Sequence, residues 1–199
     1  MQISSGDVKK LREKTGVGMM DCKNALAETG GDFDKAVDIL RKKGIEVAAK
    51  RSGRQASQGV IGSYIHMGGK IGVLLEVNCE SDFVAKSEGF TNFVKDISMQ
   101  IAAANPDWVS RDEVPEDVLS KEKEILKEQA LKSGKPEKVI EKIVEGKLNK
   151  FYSERCLLDQ VFVKDQDKTI KQLLDELMAK TGEKCLIRRF ARFQVGEEI

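Results

Sequence analysis

Ile71-Gly72-Val73-Leu74-Leu75-Glu76-Val77-Asn78-Cys79, followed without a break by Glu80-Ser81-Asp82-Phe83-Val84-Ala85-Lys86, carries the chain from one kind of order into another. In the first nine residues Ile71, Val73, Leu75, Val77 and Cys79 alternate with Gly72, Leu74, Glu76 and Asn78, the period of two that marks a half-buried strand. Residues 60–66 supply its mate, and Met67-Gly68-Gly69-Lys70 between them has the glycines of a tight hairpin turn. Downstream, Phe90, Phe93, Val94, Ile97 and Ile101 recur three or four apart, until Asn105-Pro106 halts the helix. The run 78–86 is therefore a strand-to-helix corner, and such corners hold side chains out from a rigid scaffold where a partner can meet them. Phe83 lies seven residues before Phe90. Spacing alone leaves it open between the first member of the core stripe and a projecting ring.

Toward the N terminus, residues 45–58 read as a polar, basic linker through Lys50, Arg51, Ser52, Gly53 and Arg54, either a solvated connector or part of a partner-facing surface. Three short helical patterns precede it. Ser4-Ser5-Gly6-Asp7 fits a capping box opening a helix that carries Val8 and Leu11 and stops near Gly16. Met19, Cys22 and Leu26 then recur at helical spacing up to Gly30-Gly31. Asp32 can cap a third helix with the stripe Phe33, Ala36, Val37 and Leu40, ending at Gly44. Three helices in so short a segment make a small bundle with little core to bury.

Toward the C terminus, residues 116–158 read as helical and heavily charged, with a stripe of Val139, Ile140, Ile143, Val144 and Leu148 after Pro136, a favourable first-turn residue. Residues 157–163 lead to a turn at Asp165-Gln166-Asp167. The next helix has the clearest apolar stripe in the chain, Ile170, Leu173, Leu174, Leu177 and Met178, closed by Gly182. Residues 185–195 read as a strand carrying Arg188, Arg189 and Arg192 beside Phe190 and Phe193. The fold class is α+β. Residues 1–54 form a three-helix N-terminal domain with its basic linker, and residues 55–199 a core in which a mainly antiparallel sheet packs on helices.

A chain of 199 residues can hold one or two domains and bury a real core. Its 34 basic and 33 acidic residues leave a net charge of +1, so no strong field invites nucleic acid or an anionic membrane surface. No apolar run approaches the roughly 18 residues of a membrane span. Met1-Gln2-Ile3-Ser4 lacks the apolar core of a signal peptide, which makes the cytoplasm the expected compartment. Cys22, Cys79, Cys156 and Cys185 form no CxxC and sit among apolar neighbours, the pattern of buried free thiols. A disulfide between subunits is the alternative.

An enzyme should leave a constellation of reactive groups, and none is legible. The single histidine, His66, falls in a strand and reads as an ordinary surface or satisfied residue; histidine-based zinc sites and most acid–base dyads are thereby excluded. No G-x-x-x-x-G-K-[ST] occurs, and the glycines at 68–72 lie in a hairpin, so the chain is not expected to bind GTP itself. No base is signalled beside any cysteine. No catalytic residue, metal or cofactor is expected, and binding is the remaining class of function.

Four stretches resemble one family. Leu11-Arg12-Glu13-Lys14-Thr15-Gly16-Val17-Gly18-Met19-Met20-Asp21-Cys22-Lys23-Asn24-Ala25-Leu26 looks like the opening of elongation factor Ts, with Val17 where the family usually has Ala. Ser81-Asp82-Phe83-Val84 is similar to its Thr-Asp-Phe-Val signature, with Ser81 in place of Thr. Glu154-Arg155-Cys156-Leu157-Leu158-Asp159-Gln160-Val161-Phe162-Val163-Lys164-Asp165 resembles its core motif, with Val161 where Pro is usual. Arg189-Phe190-Ala191-Arg192-Phe193-Gln194-Val195-Gly196-Glu197 matches its terminal strand. Together they span nearly the whole chain in the family's order, which is far more specific than any one of them.

The resemblance implies a guanine nucleotide exchange factor that binds elongation factor Tu, both GDP-bound and nucleotide-free, and promotes GDP release by disturbing its magnesium and phosphate site. It implies that Ser81, Asp82, Phe83 and Val84 meet this GTPase, with Phe83 inserted near the magnesium. The hydroxyl kept by Ser81 preserves a helix-capping role. Lys9, Arg12, Met19 and Met20 are candidate contacts of the N-terminal domain, whose order and residues also resemble a ubiquitin-associated module. Longer members of the family carry a duplicated core and this chain has one copy, which admits a two-fold homodimer. A competing class is a ubiquitin-associated-like adaptor or nascent-chain chaperone acting through residues 1–44; it leaves the Ser81 corner and the terminal strand without purpose. A nucleic-acid binder would rest on Arg188, Arg189, Arg192 and the linker cations, against the near-zero net charge.

Overall fold

The computed structural model describes residues 3–15, 17–51, 53–132 and 136–198. Its helices are α1 (Ser5–Thr15), α2 (Met19–Glu28), α3 (Phe33–Arg51), α4 (Asp82–Ala85), α5 (Glu88–Ala104), α6 (Glu116–Leu131), α7 (Glu137–Arg155) and α8 (Ile170–Thr181). The strands are β1 (Gln58–Ile65), β2 (Ile71–Cys79), β3 (Val161–Phe162), β4 (Asp165–Thr169) and β5 (Cys185–Gln194). The fold class is α+β. An antiparallel sheet has the order β1-β2-β5, and β3 and β4 form a separate ribbon. The chain divides into two compact units: the residues up to Val60 with Val77–Phe93 and Gln172–Leu186, and Ile61–Glu76 with Val94–Lys171 and the residues from Ile187 on.

In the first unit α1 opens as its sequence requires. The Ser4 hydroxyl accepts the Asp7 N–H at 3.1 Å and donates to the Asp7 carboxylate at 2.7 Å. Asp32 caps α3 by accepting the Lys35 N–H at 3.1 Å, after Gly30 and Gly31 have turned the chain with φ of 64° and 92°. Val8, Leu11, Cys22, Ala25, Leu26, Ala36 and Leu40 make the core of the bundle, with Phe33 and Val37 packed against it. Met19, expected on the α2 stripe, stays exposed at the start of that helix. The helix stop read near Gly16 lies outside the described residues.

The third helix does not end at Gly44; it runs on to Arg51 and takes in the first half of the segment read as a linker. A helical glycine costs only about 1 kcal/mol relative to alanine. The residues after it, Glu46, Ala48, Ala49, Lys50 and Arg51, are good helix formers. A β-carbon at Gly44 would lie 3.6 Å from that of Ala179 on α8. That is ordinary van der Waals contact, so the site does not demand glycine, and Gly44 is simply carried inside the helix and does not stop it. Ser52 lies outside the described residues.

In the second unit the hairpin turns as its glycines allow. Gly68 and Gly69 have φ of 87° and 69°, and His66 donates to the Ile71 carbonyl at 2.9 Å. His66 itself lies exposed just past β1, with its Nδ1 3.0 Å from the Tyr64 hydroxyl. On the covered face of β1, Gly62 leaves room only for Val94, whose side chain a β-carbon there would strike. Helix α5 carries two buried polar residues in addition to its stripe, Ser98 and Gln100. Gln100 donates to Gln160 at 3.1 Å and to the Val161 carbonyl at 3.2 Å, and accepts from the Val163 N–H at 2.9 Å. These bonds pin the start of the β3–β4 ribbon. The ribbon turns at Val163-Lys164, two residues before the expected Asp165-Gln166-Asp167, which instead begins β4. Pro136 caps α7 from just outside its first turn, and of the α7 stripe only Ile140 is fully buried. Among the described residues no helix is long and apolar enough to cross a membrane.

Candidate functional site

The corner is built from the backbone outward. At the end of β2 the chain turns through Glu80, and Ser81 in extended geometry becomes the N-cap of α4. Its hydroxyl accepts the Val84 N–H at 3.3 Å, the bond expected of Ser or Thr at this position. The helix lasts one turn before Lys86 and Ser87 break it and α5 begins at Glu88. Within that turn Val84 and Ala85 face inward and are buried, which leaves Asp82 and Phe83 to face out. Phe83 is 81 % exposed, whereas Phe90 is fully buried. The ambiguity that spacing left is thus resolved: Phe83 projects. Exposing a side chain of this size forgoes about 1.5–3 kcal/mol of burial, which folding alone gives no reason to forgo.

Asp82 stands beside the ring. Lys86, one turn on, donates to its carboxylate at 2.7 Å, and that bond holds the Asp82 carboxyl below its ordinary value. The acid therefore stays ionised at neutral pH. Behind the corner, Glu183 in the turn between α8 and β5 accepts both the Ser81 N–H, at 3.0 Å, and the Ser81 hydroxyl, at 2.6 Å. Glu80 accepts the Lys184 N–H at 2.6 Å and is paired with Arg54 at 3.4 Å. Arg54, read as a linker cation, thus spends its charge on the corner; the side chains of Lys50 and Arg51 lie outside the described set. Sequence reading missed Glu80 and Glu183, since two glutamates a hundred residues apart carry no local pattern. The only local hint is that Glu80 adjoins the matched stretch at Ser81; Glu183 lies outside all four stretches.

Of the N-terminal candidates, Lys9 and Arg12 lie exposed one turn apart on α1, Lys9 in a 4.0 Å pair with Glu13. Met19 and Met20 are 42 % and 66 % exposed at the start of α2. None of the four is a core residue. In the second unit Ile61, Ile65, Leu74, Phe193 and Val195 stand exposed on the sheet and its last residues, and Arg189 pairs with Glu76 at 2.7 Å. All four cysteines are free and buried. Burial pushes the Cys156 thiol up to about 11 and the Cys185 thiol up to about 12, so neither is poised as a nucleophile. Among the described residues no group of His, Cys, Asp and Glu could hold a metal ion.

The fold and this surface define an α+β protein whose distinctive feature is an aromatic ring held out on a capped corner beside an ionised acid. Comparison with known proteins gives the family. A model of the family described as elongation factor TS matches residues 23–197. Elongation factor Ts of Caldanaerobacter subterraneus subsp. tengcongensis is 62 % identical over 197 residues, covering 99 % of this chain and 98 % of that protein. Elongation factor Ts of Moorella thermoacetica is 59 % identical over 197 residues, covering 99 % of this chain and 97 % of its own length. That of Syntrophus aciditrophicus is 59 % identical over 199 residues, with coverage of 100 % and 99 %. The chain belongs to the elongation factor Ts family, and is a translation elongation factor.

Proposed function

We propose that the protein releases GDP from elongation factor Tu by inserting Phe83 into that GTPase near the magnesium and phosphates of its nucleotide site. The observation that carries the reading is the exposure of Phe83 on a corner whose neighbours Val84 and Ala85 are anchored in the interior. An exchange factor needs no reactive group. It must bind the nucleotide-free GTPase more tightly than the nucleotide-bound form, and by reciprocity it then weakens nucleotide affinity by the same factor. Magnesium and phosphate contacts hold the nucleotide, so displacing them is an efficient way to build that coupling. Ser81 and Val84 hold the wedge, Phe83 is the wedge, and Asp82 offers hydrogen bonds at its edge. The test is release of labelled GDP from elongation factor Tu. Release no faster than the spontaneous rate at saturating factor would exclude the reading.

The N-terminal domain, residues 1–54, adds affinity through Lys9, Arg12, Met19 and Met20, all held at the surface. Loss of residues 1–50 should weaken binding strongly, and unchanged affinity would show the domain to be dispensable. The exposed apolar side chains Ile61, Ile65, Leu74 and Phe193 support a second copy of the chain as a further partner on the sheet of the 55–199 core. A monomeric mass in sedimentation at micromolar concentration would refute that dimer.

A further inference from the structure

The direction of Phe83 depends on a turn far along the chain. Helix α4 is a single turn, too short to hold itself by its own backbone bonds. Its cap, Ser81, carries out two tasks with one hydroxyl, accepting from the Val84 N–H and donating to Glu183. Both oxygens of Glu183 are engaged by this one residue, Oε2 by the Ser81 N–H at 3.0 Å and Oε1 by the hydroxyl at 2.6 Å. Two bonds to a charged acceptor fix orientation as well as distance. They also commit the hydroxyl proton, which leaves a lone pair for Val84. The clamp is reciprocal. Glu80, beside Ser81, accepts the N–H of Lys184, beside Glu183, and the Lys184 ammonium donates to the Arg54 carbonyl at 2.8 Å.

A purely local role for the Glu183 side chain, closing its own turn, is not needed. That turn is made by Gly182 with φ of 77°, by the Gly182 N–H to the Met178 carbonyl at 3.1 Å, and by the Thr181 hydroxyl to the Leu177 carbonyl at 2.9 Å. The carboxylate is left to serve Ser81.

We infer that Glu183 is a positioning residue for nucleotide exchange: its carboxylate orients the Ser81 corner so that Phe83 points at the GTPase, and it acts on GDP release through that ring. The inference rests on the exchange reading above, and the experiment separates the two. Maximal GDP release from the GTPase is measured by stopped flow at saturating full-length factor, with each rate referred to the folded fraction from thermal melting. Glu183→Ala is expected to lower the maximal rate about tenfold, within the roughly hundredfold that a displacement of about 1 Å can cost, while the half-saturating concentration changes by less than about threefold. Glu183→Gln, which keeps one carbonyl acceptor, falls between, and carries the same comparisons should the alanine variant not fold.

The decisive arm is the double variant Phe83→Ala/Glu183→Ala. If Glu183 works through the ring, the double variant is no slower than Phe83→Ala alone. A wild-type maximal rate in the Glu183 variants, or a further tenfold loss in the Phe83→Ala background, overturns the positioning role while leaving the exchange reading intact. A wild-type rate in Phe83→Ala itself would instead bring down the reading on which this inference rests.

Discussion

Phe83 and Phe90 lie seven residues apart, on the α4 corner and at the head of the α5 stripe, and they meet opposite fates. One is 81 % exposed and the other is fully buried. In an unbroken helix a spacing of seven would put both on one face. The helix is broken at Lys86 and Ser87, where the Ser87 N–H and hydroxyl both bond the Val84 carbonyl, at 3.0 and 2.7 Å. The break resets the phase, so Val84 and Ala85 take the buried face in α4 while Phe90, Phe93, Val94 and Ile97 take it in α5. The two regions thereby separate two uses of one residue type: Phe90 holds the fold together, and Phe83 is free to bind.

Phe90→Ala should give the largest effect. It opens a cavity at a fully buried site and is expected to cost about 3–5 kcal/mol, read as a shift of the urea midpoint. A cost under about 1 kcal/mol would mean that the stripe collapses around the gap and the contrast with Phe83 is weaker than the burial suggests. Phe83→Ala should come next, and on the other axis. Stability should change by less than about 0.5 kcal/mol, as for an exposed position, while GDP release slows about tenfold or more. A large fall in stability with normal release by the folded fraction would reverse the assignment of the two rings.

The same contrast shows what the sequence carries and what it withholds. The hairpin, the α5 stripe, the caps at Ser4 and Asp32 and the glycine stops at 30, 31 and 182 are local patterns, and each was readable within a few residues. The Ser81 corner was readable as a corner because a period of two meets a period of three or four there. The side on which Phe83 falls was not readable, since it depends on a one-turn helix ending at Ala85. Gly44 misled because a single helical glycine is a weak stop signal, and the good helix formers that follow it carry the helix on to Arg51. Glu183 and Gln100 were invisible because their partners, Ser81 and Gln160, lie 102 and 60 residues away.

Ser81→Ala sharpens the comparison at the capping level. It removes the hydroxyl that accepts from Val84 and donates to Glu183, and should cost about 1 kcal/mol, the usual scale for a lost N-cap. Ser81→Thr keeps the hydroxyl and should be within a few tenths of the wild type in both stability and release. Equal loss in the two variants would mean that the methyl does not fit and that the cap is incidental.

Asp82→Ala should have the smallest effect. The carboxylate is exposed and its bond to Lys86 is a surface pair, so its removal leaves no buried group unpaired. Release should slow by about threefold, mainly through a slower encounter, and the difference should shrink as salt screens the charge. The pH dependence follows from the sign of the shift. Lys86 holds the Asp82 carboxyl below its ordinary value of 3.8, so whatever the ionised acid contributes is fully present above that value and is lost only as pH falls through the depressed one. The ratio of wild-type to variant rates should therefore stay constant from about pH 8 down to about pH 5.5. A ratio that drifts toward one over that range would place the titrating group elsewhere, and a loss as large as that of Phe83→Ala would make the acid, not the ring, the principal contact of the corner.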